Sequence, residues 1–127
     1  MLTHQTINTA ISNAQVVTKA VLRAADQLEI PNTILAKILG VSEPTVSRMR
    51  KHGLTLSTND KSFELAILFI RLYRSLDAIV GGDPNVARAW LRNVNTALDD
   101  SKPLEKVQTI TGLMHVIDYL DSRRAVL

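Results

Sequence analysis

Apolar residues recur at steps of three and four along almost the whole chain, and nowhere do they alternate in twos for long. From about Gln5 to Glu29, the residues Ile7, Ile11, Ala14, Val17, Val21, Ala24 and Leu28 form one stripe, the spacing of an amphipathic helix. Pro31 closes it. Two short helices are expected next, from about Asn32 to Leu39 and from Glu43 to His52, with Gly53 ending the second. The stretch TLSTND, Thr55 to Asp60, reads as a polar connector. Asp60 then opens a long helix to about Val80, stopped by Gly81-Gly82. At LAILFI this helix is apolar nearly all round, so it needs cover from its own chain or from a second subunit.

Asp83-Pro84 is a strong helix start, an aspartate cap followed by proline at the first helical position, and that helix runs to about Asn93. After the loop NTALDDSK, Pro103 starts a short helical turn. Thr109 or Thr111 caps a last helix to about Arg123, with Ile110, Leu113, Met114, Ile117 and Leu120 as its apolar positions. The expectation is an all-α protein. Residues 1–56 form an N-terminal helix plus a helix-turn-helix module, and residues 57–127 a small helical C-terminal domain.

The helix-turn-helix expectation rests on particular positions. Such a motif needs a small residue where the first helix faces the second, a glycine where the chain turns left-handed, and apolar residues that lock the crossing. Leu35, Ala36, Leu39, Gly40, Val41, Val46 and Met49 supply these. Ser42 is placed to cap the second helix by accepting from the Thr45 amide. Glu43 suits that helix's positive end, and Pro44 is tolerated in its first turn. With Val46 and Met49 inward, Pro44, Ser47, Arg48 and Lys51 face outward, and Thr45 and Arg50 lie on the flanks. This is the pattern of a recognition helix. Arg48 is the expected base reader, aimed at guanine, with Ser47 and Thr45 nearby. Lys51, Arg50 and Lys37 are the expected phosphate contacts. A helical hairpin with a solvated basic edge is the plain alternative. One module makes few contacts, so a symmetric dimer on two half-sites is expected.

Charge sharpens this reading. The formal net charge is +3. Residues 1–30 and 62–127 are each neutral, so the whole excess falls between residues 31 and 61. An excess confined to one motif marks an electrostatic footprint. The chain has no cysteine, which excludes disulfides and thiolate metal sites. Its first residues, MLTHQTINTAISNA, lack the basic start and apolar core of a signal peptide, and its longest apolar run is far short of a membrane span. A cytoplasmic location is expected. His4, His52 and His115 are scattered, with His115 and Asp118 expected at the surface. With no metal cluster, phosphate loop or nucleophile triad in view, neither a cofactor nor an enzymatic activity is expected.

The C-terminal half carries a distinctive pattern. Ala87, Trp90 and Leu91 read AxxWL, Asn95 and Leu98 read NxxL, and Pro103, Leu104, Thr109, Gly112, Val116 and Leu120 read PLxxxxTxxGxxxVxxxL. In type and spacing this resembles the C-terminal domain of Xre/MbcA/ParS-type antitoxins, which pair with RES-domain toxins. With the helix-turn-helix, the resemblance covers about Pro31 to Leu120. Two features depart from it: Asp99-Asp100, where the family often carries glycine, and the ending DSRRAVL. The resemblance implies an antitoxin whose C-terminal domain silences an NAD-degrading toxin by covering its active site. It also implies an N-terminal module that represses the operon by binding its DNA. A stand-alone dimeric repressor of phage or plasmid origin is the alternative. Arg88 and Arg92 at i,i+4 on one helix, and a tail with Asp121, Arg123, Arg124 and Leu127, are the candidate toxin contacts, against a solvated face and a frayed end. Trp90 is the expected core anchor, and Gly112 is expected to permit a close helix crossing.

Overall fold

In the computed structural model the backbone is described for residues 2–125 and the side chains for residues 13–125. Among these there are seven α-helices and no strand. α1 spans Leu2–Gln27, α2 Asn32–Leu39, α3 Glu43–His52 and α4 Lys61–Ile79. They are followed by α5 at Pro84–Arg92, α6 at Pro103–Lys106 and α7 at Ile110–Arg124. None of these helices is long and apolar enough to cross a membrane.

The expected α1 stripe is buried at Ala14, Val21, Ala24 and Leu28 and half-buried at Val17. Ile7 and Ile11 lie outside the described side chains. Thr18, buried in the same stripe, donates to the Ala14 carbonyl at 2.7 Å and accepts from the Leu56 amide at 3.0 Å. One hydroxyl therefore pins the connector after α3 onto α1 and leaves no buried donor unpaired.

α4 is the central helix. It packs against α1, α2 and α7, and Leu65, Ala66, Phe69, Leu72 and Leu76 are buried along it. The core is one continuous cluster from Val21 to Leu120. Burying each of its large side chains contributes about 1.5–3 kcal/mol. Ser75, fully buried among them, donates to Asp121 of α7 at 2.8 Å and accepts from Arg124 at 3.4 Å.

Two expectations change here. Trp90 is not the core anchor, because α5 turns Ala87 and Leu91 inward and leaves Trp90 half-buried. It stacks on Tyr119 with ring centroids 6.3 Å apart, as a cover over the core that Phe69 fills. Gly112 does mark a close approach, but to the end of α6 and not to a crossing helix. A Cβ there would stand 1.9 Å from the Lys106 carbonyl oxygen.

Candidate nucleic-acid interface and partner domain

The turn between α2 and α3 follows the sequence. Gly40 is left-handed at φ 67°, ψ 33° and ends α2 through bonds to the Ala36 and Lys37 carbonyls. Ser42 accepts from the Thr45 amide at 3.2 Å, and Glu43 and Pro44 occupy the first turn of α3. Val46 is fully buried and Met49 nearly so. That fixes the rotation of α3 and leaves Pro44, Arg48 and Lys51 exposed, with Thr45 and Ser47 half-exposed. Lys37 is exposed on α2. Ser42 and Thr45 share a hydroxyl hydrogen bond at 2.8 Å, and Arg48 donates to the Thr45 hydroxyl at 3.4 Å. A short polar chain thus leads from the cap to the Arg48 guanidinium and orients it.

Arg50, grouped above with the phosphate contacts, is engaged within the protein. Its Nε donates to Asn32 at 2.7 Å and its Nη1 to Asp26 at 2.8 Å. It ties α3 to the end of α1 and the start of α2. Asp26 and Asn32 carry no sequence signal for this role, because their separation from Arg50 exceeds any helical repeat.

Arg88 and Arg92 also turn inward. Arg88 donates to the Gln27 carbonyl at 2.8 Å and pairs with Glu29 at 3.5 Å. Arg92 donates to the Leu28 and Glu29 carbonyls at 3.0 and 2.9 Å. The last turn of α1 and the left-handed Glu29 beyond it expose these oxygens at the negative end of the helix, where a guanidinium binds best. Asp121 is held by Arg71 and Ser75. Of the remaining candidates, Arg123 and Arg124 are exposed, and Leu127 lies outside the described residues.

The α5–α7 region adds a cluster the sequence left scattered. Asp99 and Asp100 are both left-handed, at φ 59° and 55°, which explains glycine as the usual residue there. Asp99 accepts from Lys106 at 3.0 Å and lies 3.8 Å from His115. The Lys106 hydrogen bond and then its charge hold the Asp99 carboxyl below its ordinary value; desolvation opposes them, and the charge of His115 lowers it least. His115, expected at the open surface, is half-buried beside this cluster. The hollow there is lined by Ser101, Glu105 and Thr109 as well.

A rigid helix-turn-helix with a basic outer edge, joined to a second helical unit, defines a DNA-binding regulator with a partner domain. Residues 10–71 match the family model of the antitoxin Xre-like helix-turn-helix domain, which covers most of α1, all of α2 and α3 and the first half of α4. Residues 75–125 match that of the antitoxin Xre/MbcA/ParS C-terminal toxin-binding domain. The chain belongs to the Xre/MbcA/ParS antitoxins. Comparison with curated proteins gave no match.

Proposed function

We propose that this antitoxin neutralises a RES-type, NAD-degrading toxin by covering its active site and represses its own operon through α3. The observation that carries the DNA half is the outward set Pro44, Thr45, Ser47, Arg48 and Lys51 on a helix whose rotation Val46, Met49 and Arg50 fix. Arg48 is assigned to a guanine edge, and Lys51 and Lys37 to phosphates. Arg50 is assigned to holding α3 in place. Two copies bind two half-sites as a homodimer, in the cytoplasm, and the complex with toxin keeps or enlarges that assembly.

The RES assignment draws its support from the AxxWL, NxxL and PLxxxxTxxGxxxVxxxL pattern and from the toxin-binding family match. Arg123 and the exposed end of α7 are the surviving candidates for toxin contact, while Arg88 and Arg92 tie α5 to the end of α1 and Asp121 ties α7 to α4. The test is co-expression with a RES-domain toxin. Rescue of growth and co-purification are expected from the full chain. Rescue without any mobility shift of promoter DNA would remove the repressor half. A shift without rescue would leave a stand-alone repressor.

A further inference from the structure

The outer face of α4 is built to meet its own copy. At about 100° per residue, Glu64, Ile67, Arg71 and Arg74 project on one side of this helix, the cap residue Asp60 stands at its start, and all five are exposed. The face opposite holds Leu65, Phe69, Leu72 and Leu76 in the core. The outward face is acidic at its start, apolar at its middle and basic at its end. Ile67 is 46% exposed, and beside it Val16 of α1 is 61% exposed. The two line a hollow of about 430 Å³ with Val17, Ala20 and Ile70 as apolar floor and Arg71, Arg74 and Arg124 around it.

We propose that this face is the seam of a twofold homodimer, with α4 of one copy antiparallel to α4 of the other and Ile67 at the axis. In a twofold contact every residue meets the same surface on the other copy, so the surface must complement itself. Here it does. Arg74 and Asp60 are equally spaced on either side of Ile67, so each Arg74 meets Asp60 of the other copy, twice over. Glu64 falls beside the other copy's Arg71 in the same register, although that guanidinium already binds Asp121 of its own chain, so the Asp60–Arg74 pair carries the charge match. Among the described residues neither Asp60 nor Arg74 forms an ion pair within the chain. Glu64 has only an exposed pair with Lys61 at 3.3 Å, which contributes little and is readily exchanged. A partner of uniform charge would leave one end of this face opposed by its like, which makes a second copy the fitting occupant. One helix face buries too little for a stable dimer, which needs on the order of 1,000 Å². The α1 wall at Val16, Val17 and Ala20 supplies the rest.

This seam supplies the two-copy assembly that the operator reading requires and rests on that reading only for its use. The test is sedimentation velocity on the full chain. The wild type is expected to sediment as a dimer, and Ile67→Glu as a monomer with unchanged helical circular dichroism. Arg74→Asp and Asp60→Arg should each weaken the dimer more than about tenfold, and the double variant should restore it. Because the chain has no cysteine, Ile67→Cys gives a second readout that does not depend on an introduced charge. A short bismaleimide should link it into dimers, while Leu54→Cys stays unlinked. If Ile67→Glu remains dimeric and Ile67→Cys does not cross-link, the seam is elsewhere and the two-copy reading survives. A monomeric wild type that also stays monomeric on operator DNA overturns both.

Discussion

Two pairs of cations look alike in the sequence and meet opposite fates in the fold. Arg48 and Lys51 on α3 point to solvent, and among the described residues neither has an ion-pair partner. Arg88 and Arg92 on α5 are folded back onto the carbonyls that end α1. The difference lies in what stands nearby. α3 is held by apolar contacts beneath it, so its outer charges need nothing from the protein. α5 crosses a helix end whose carbonyls lack amide donors, and a guanidinium is the side chain that reaches several of them at once. A basic residue is therefore an interface candidate only after its internal acceptors have been counted.

The sharpest way to break this comparison is to remove both α5 arginines. Arg88→Ala with Arg92→Ala strips charged donors from four main-chain carbonyls, three of them at the end of α1, which water replaces only in part. A stability loss of about 2–3 kcal/mol is expected in urea titration. Operator affinity, measured well below the new melting temperature, should stay close to wild type. If stability were unchanged and toxin binding lost, the two arginines would join the partner surface after all.

The reverse experiment is Arg48→Ala. Its stability should stay within about 0.5 kcal/mol of wild type, while operator affinity falls by about 1–3 kcal/mol with relaxed preference at one base pair. Lys51→Ala should weaken all duplexes alike and lower the slope of log affinity against log salt by about 1. Arg50→Met separates positioning from contact. It should lose about 1 kcal/mol of stability with the Asn32 and Asp26 bonds and weaken operator binding, yet leave the salt slope unchanged. A drop in slope equal to that of Lys51→Ala would return Arg50 to the phosphate group.

Local chemistry was legible in the sequence, and long-range pairing was not. The caps at Ser42, Asp83 and Thr109 and the stop at Gly40 are all written in short windows, because each involves atoms within a few residues. The inward face of α3 followed from Val46 and Met49 for the same reason. Arg50 with Asp26, Arg92 with Leu28, and Asp121 with Ser75 join distant segments, and only the packed fold brings them together. Trp90 misled because size suggested burial, whereas its place on α5 is set by Ala87 and Leu91. The aspartates at 99 and 100 were visible as departures from the family's glycine, but their partner Lys106 comes from the next helix.

The smallest expected effect tests that last cluster. The folded Asp99 carboxyl titrates below its ordinary value of 3.8, first because Lys106 donates to it and then because of the Lys106 charge. A depressed carboxylate stabilises the fold above its unfolded value and loses that contribution as pH falls through the folded one. The loss is therefore confined to pH below about 3.8. Asp99→Asn keeps the left-handed backbone accessible, since asparagine tolerates it, but removes the charge. The variant should be slightly less stable than wild type at neutral pH, and the gap should close as acid protonates Asp99 in the wild type. Urea titrations of both chains across that range measure the gap directly. A gap that stays constant in acid would show that Asp99 acts through the shape of its turn and not through its charge on Lys106.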